Sequence, residues 1–188
     1  MCVALILASA SPRRAELLAS AGFTFTVRTA EVDESPRGGE GPEAYVLRVA
    51  RAKARAVAAG CRKSDSVVLG ADTTVVVDGE ILGKPEGRSD AIRMLKSLSG
   101  RVHEVLTGVA LIAGSVEQSE VVTTRVRLLP ITMDEINWYL DTGEPDGKAG
   151  AYAIQGHAAR FIDWIEGSWS NVVGLPVATV YQMLKKVT

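Results

Sequence analysis

Two long β-patterned stretches, Val102–Ala113 and Val116–Leu128, are separated only by Gly114-Ser115. A two-residue link of this kind closes an antiparallel hairpin, because a parallel return needs a crossover of a dozen residues or more. Asp78-Gly79, lying between residues 74–78 and Glu80–Leu82, gives the same signal. Elsewhere apolar runs alternate with helical patterns. Strands are expected at residues 5–8, 23–28 and 66–71, and helices from Ser11-Pro12 to near Gly22, over 43–59, from a Ser89 cap to Leu98, over 132–141, and after Pro176. The hairpins exclude an all-parallel sheet and the helices exclude an all-β fold. The expectation is an α/β fold with a mixed central sheet flanked by helices. Residues 29–42 read as a polar, mostly acidic loop, and residues 143–156 as too glycine-rich for a long element.

A chain of 188 residues with 47% apolar and 23% charged residues builds one substantial core, here expected as a single domain in two lobes. Its net charge of -1 gives no general basic field, so attraction for a polyanion has to come from a local cluster, and long nucleic acid is a poor partner. Cys2 and Cys61 fit no metal-ligand spacing and suit a reducing cytoplasm. The apolar opening lacks a basic leader region and runs straight into Pro12-Arg13-Arg14, as a first core strand does. No apolar stretch approaches the roughly 20 residues of a membrane span.

Arg13 and Arg14 sit in the first turn of a helix, where free N–H groups and the positive dipole end repel cations. Either they are solvated on a surface turn, or an anion such as a polyphosphate sits between them. Lys53 poses a similar choice. It shares a helix face with Val46, Val49, Ala50, Ala54 and Val57, so its stem snorkels or its ammonium enters a polar cleft. Asp72 follows the apolar run 66–71 and reads as a strand-end carboxylate. It would cap a turn, hold Mg²⁺, or orient an attacking water, and Lys84 could face the same cavity. Asp33 and Glu34 are solvated charge or further metal or water partners. No P-loop is present: Gly79 to Pro85 is one residue short and ends in proline. His103 reads as a satisfied structural histidine, His157 as isolated, and Trp138, Trp164 and Trp169 as core or interface residues.

Several segments, in order along the chain, resemble the Maf family of nucleoside triphosphate pyrophosphatases. They are Ser9-Ala10-Ser11-Pro12-Arg13-Arg14, Gly70-Ala71-Asp72-Thr73, Gly83-Lys84-Pro85, Leu98-Ser99-Gly100-Arg101-Val102-His103, the run from Lys148 to Gly156, and Asn171-Val172-Val173-Gly174-Leu175-Pro176. The resemblance covers essentially the whole chain. It implies a two-lobed fold around a cleft, related to the inosine triphosphatase group, and metal-dependent (Mg²⁺ or Mn²⁺) cleavage of a nucleoside triphosphate to monophosphate and pyrophosphate, commonly by a cytoplasmic homodimer. It further implies that Asp72 is the proton acceptor and that Ser9, Arg13, Arg14, Glu34, Lys53 and Lys84 line the substrate site; in the mechanism expected from these residues the metal is held by Asp72 and Glu34. Arg13, Thr73 and Gln155 match the dTTP and UTP branch rather than the 7-methyl-GTP branch. The resemblance also suggests removal of unwanted nucleotides and a link to restraint of cell division. The competing reading is a non-catalytic nucleotide sensor using the same cleft.

Overall fold

The structure, a computed structural model, describes residues 4–61 and 66–187; Cys2 lies outside them. In chain order the elements are β1 (Ala4–Ala8), α1 (Pro12–Ser20), β2 (Phe25–Val27), α2 (Pro42–Ala58), β3 (Ser66–Val77), β4 (Glu80–Leu82), α3 (Arg88–Leu98), β5 (Val102–Ala113), β6 (Val116–Leu128), α4 (Met133–Asp141), β7 (Ile162–Glu166), α5 (Trp169–Val173) and α6 (Val177–Lys185). The strands form a seven-stranded sheet in the order β2-β1-β3-β5-β6-β7, with β4 on β3. β1 runs parallel to β2 and β3, whereas β3 with β4 and β6 with β7 are antiparallel. The sheet is mixed, as the hairpins required.

Two expectations are corrected. Asp72 does not end a strand: β3 runs unbroken through it, because Thr74 is buried, Val75, Val76 and Val77 are as buried and apolar as the run before, and the carboxylate finds a cationic partner at mid-strand. Ser89 does not cap α3, whose N-cap is Gly87; Asp90 holds the entry instead, accepting the Glu86 N–H at 3.2 Å. Ser11 does occupy the N-cap of α1, but its hydroxyl makes no capping bond. In addition, β7 and α5 form where no element was expected.

The chain packs as two compact units, one of Met1–Thr73, Thr107–Val122 and Gly174–Thr188, the other of Thr74–Leu106 and Thr123–Val173. In the first, alternation along β1 splits the core into two layers. Leu5 and Leu7 pack with Leu18 of α1 and Val180 and Met183 of α6, while Ile6 and Ala8 pack with Ala50, Ala54 and Val57 of α2. Two glycines let α2 lie close to its layer of strands. A Cβ at Gly70 of β3 would stand 2.4 Å from Ala50 O, and one at Gly108 of β5 2.4 Å from Val46 O. The second unit is built on Leu82, Leu95, Leu98, Leu128, Tyr139 and Phe161. Among the described residues, no helix is long and apolar enough to cross a membrane.

Candidate active site

The close seating of α2 explains where Lys53 goes. Gly70 admits the turn of α2 around Ala50 and Ala54, and Asp72, two residues further along β3, lies on the same strand face. Lys53 Nζ reaches Asp72 Oδ1 at 2.8 Å and Glu34 Oε1 at 3.0 Å. Of the two readings for this lysine, the directed ammonium is the one observed. Its side chain is 12% exposed and that of Asp72 8%, so neither charge is well hydrated and each depends on the other. Glu34, at 47% exposure, reaches in from the acidic loop.

The paired arginines are not equivalent. Arg14 is buried and committed in three directions: Nε to Gly174 O at 2.8 Å, Nη1 to Ser9 Oγ at 3.0 Å and Nη2 to Thr73 Oγ1 at 3.0 Å. Burial lowers its pKa, with Asp72 and Glu34 opposing that shift. Thr73 continues the network to Thr107 Oγ1 at 2.9 Å and Gly174 O at 3.2 Å, and Ser9 Oγ also accepts the Ser11 N–H at 3.2 Å. Arg13, by contrast, keeps a buried Nε with no hydrogen-bond partner among the described residues. An unmet guanidinium N–H beside a helix N-terminus is a donor set for an oxyanion.

The first unit therefore gathers Ser9, Arg13, Arg14, Glu34, Lys53, Asp72 and Thr73. Asp33 stays apart: its carboxylate accepts the Ser35 N–H at 2.9 Å in a local turn. No cluster of three or more His, Cys, Asp or Glu side chains suited to a metal occurs among the described residues. The two carboxylates sharing Lys53 still suit Mg²⁺ or Mn²⁺, hard ions that take one or two carboxylates and complete their shell with water and phosphate oxygens.

Lys84 and Gln155 belong to the second unit, where both are exposed. Lys84 follows β4, and the preceding Gly83 O accepts the Gly150 N–H at 3.0 Å. Gln155 precedes Gly156, whose φ of +87° and clearance from Glu144 exclude any side chain; a Cβ there would lie 2.2 Å from Glu144 Oε2. Glu144 anchors this turn. It accepts from Tyr139 Oη at 2.8 Å, His157 N at 2.7 Å and Ala158 N at 3.1 Å, with His157 Nδ1 at 3.0 Å. Burial alone would raise its pKa, but these hydrogen bonds outweigh that and hold it below the usual carboxylate range. Sequence reasoning missed Glu144 and read His157 as isolated. His103 is the core histidine expected but is only half satisfied: Nε2 lies 2.7 Å from Tyr152 Oη, while the buried Nδ1 has no hydrogen-bond partner among the described residues. The tryptophans are not core residues, since Trp138, Trp164 and Trp169 are 37%, 36% and 46% exposed; Arg160 stacks over Trp138.

A profile of the Maf-like protein family matches residues 4–187. A dTTP/UTP pyrophosphatase of Koribacter versatilis is 52% identical over 97% of this chain and 93% of its own length. One of Symbiobacterium thermophilum is 53% identical over 96% and 92%. Among solved structures, the Staphylococcus aureus Ham1 protein superposes with a TM-score of 0.56 over 98% of this chain and 99% of its own, at 14% identity, a likeness of fold alone.

Proposed function

This chain belongs to the Maf-like protein family, and from that premise we propose that it hydrolyses nucleoside triphosphates, dTTP and UTP in preference, to the monophosphate and pyrophosphate. Relatives of that name, more than half identical over nearly the full length, support the reaction. The observation that carries the reading is Asp72, a buried carboxylate at mid-strand with one oxygen held by Lys53 and Arg14 close enough to feel its charge. A carboxylate fixed in this way keeps its direction without solvent.

In the proposed mechanism Asp72 orients the attacking water toward the α-phosphorus and takes its proton. Arg13, with its unmet buried N–H, and Lys53 bind phosphate oxygens and stabilise charge as the α–β bridge breaks. Arg14 plays two parts, holding Ser9, Thr73 and Gly174 together and lending its charge to the same place. Lys84 is assigned to phosphate, and Thr73, Arg13 and Gln155 to base choice, on the match of their motifs. A divalent cation, held by Asp72 and Glu34, would neutralise phosphate charge when bound. The biological role proposed is removal of unwanted nucleotides, with a link to restraint of cell division.

The test is a panel of common and modified nucleoside triphosphates with Mg²⁺ or Mn²⁺, scored separately for pyrophosphate and orthophosphate. Pyrophosphate from dTTP and UTP, stopped by a chelator, is the expected result. Tight binding without turnover across the panel would replace the enzyme by a nucleotide sensor.

A further inference from the structure

The acidic loop of residues 29–41 contains no helix or strand, yet its backbone is held from α2. One guanidinium makes most of the bonds. Arg48 donates from Nε and Nη2 to the two carboxylate oxygens of Glu40 at 2.6 and 2.8 Å, from Nη2 also to Ser35 O at 2.9 Å, and from Nη1 to Asp33 O at 3.2 Å. Three residues earlier, on the same helix face, the Tyr45 hydroxyl donates to Glu34 O at 3.0 Å. Three consecutive carbonyls, of Asp33, Glu34 and Ser35, thus accept from two side chains one helical turn apart. Arg48 also holds the Glu40 carboxyl down at about 2, so this clamp stays charged through the physiological range. Further along α2, Lys53 takes the Glu34 carboxylate itself.

We propose that Arg48, assisted by Tyr45, is a positioning residue that sets where the Glu34 carboxylate stands beside Lys53 and Asp72. The acidic loop then enters the reaction as a fixed part of the site. Bidentate pairing matters here: a lysine at position 48 could neutralise Glu40 but could not also hold two carbonyls in fixed directions. The proposal rests on the reading of Asp72 and Lys53 given above and extends it to residues that touch no substrate.

The experiment uses the full chain as wild type, Arg48→Gln, Tyr45→Phe, Glu34→Gln and the Arg48→Gln, Glu34→Gln double variant. Amide hydrogen exchange over residues 29–41 is measured beside pyrophosphate release from dTTP. Arg48→Gln is expected to speed exchange in that loop and leave β1 and β3 protected, while kcat/KM falls about tenfold. Tyr45→Phe moves both readouts less, in the same direction. The double variant falls no further than Glu34→Gln alone, within about twofold, because a residue that acts through Glu34 then has nothing left to position. Losses that multiply in the double variant, or unchanged loop exchange in Arg48→Gln, overturn the proposal. A Glu34→Gln variant with the wild-type rate also overturns it, while leaving the role of Asp72 intact. Should the wild type release no pyrophosphate from any nucleotide, the proposed reaction falls, and loop exchange alone decides whether Arg48 is the clamp.

Discussion

Buried charge is handled in opposite ways in the two units. In the first, Asp72 and Glu34 share the ammonium of Lys53, and Arg14 lies within their field. In the second, Glu144 is met mainly by neutral donors: a phenol and two backbone N–H groups. The difference is one of exchangeability. Ion pairs between side chains can trade partners when a charged ligand arrives, whereas a carboxylate bonded to the main chain fixes the path of the chain. The first arrangement suits a reaction site and the second suits a turn that presents a neighbour such as Gln155.

The sharpest way to break this comparison is Asp72→Asn. The amide is nearly isosteric, and Lys53 keeps Glu34 at 3.0 Å, so the fold should survive. Turnover of dTTP and UTP should drop by ~10²–10⁴-fold, the usual loss when a water loses its activating group. A near-normal kcat with an unchanged melting curve would remove Asp72 from the mechanism.

A smaller effect is expected in the second unit, from a group that is buried neutral. Burial pushes His103 down to about 4. Because its folded pKa lies below the unfolded value near 6.5, the unfolded chain binds the extra proton as pH falls, and stability drops between about 6.5 and 4. The loss should reach on the order of 3 kcal/mol below that window. Denaturant unfolding at stepped pH checks it, and His103→Gln should flatten the slope while leaving the contribution of the carboxylates. An unchanged slope in that variant would assign the acid sensitivity elsewhere.

The smallest expected effect concerns base choice. Gln155→Glu keeps size but exchanges an amide donor for a charged acceptor, so kcat/KM for dTTP and UTP should fall relative to 7-methyl-GTP by ~1–3 kcal/mol. Equal losses on every nucleotide would show that the side chain serves the turn beside Glu144 and does not read the base.

What can be read from sequence follows from range. The hairpin at Gly114-Ser115 and the apolar stripe of α2 are local patterns, and both appear as expected. Lys53 is conspicuous because it violates its stripe. Arg48 and Glu144 violate nothing: an arginine in a helix and a glutamate in a loop look ordinary until contacts 8 to 15 residues away in the chain are known. Asp72 misleads for the opposite reason, since the polar triplet Asp72-Thr73-Thr74 between two apolar runs looks like a break in a strand when the carboxylate's partner lies on another element. β7 escapes notice because Ile162-Asp163-Trp164-Ile165-Glu166 is neither an unbroken apolar run like β1 nor a strict alternation, and no tight turn marks it.

Gly70 and Gly108 bring the main chain of α2 against β3 and β5 with no side chain between. The span from Lys53 to Asp72 is therefore gauged by backbone on backbone, not by the bulk of whatever residues fill the neighbouring core. Over long sequence drift, valines, leucines and alanines around it can change in size and number while that gauge keeps its length. A single methyl group at position 70 would alter it at once.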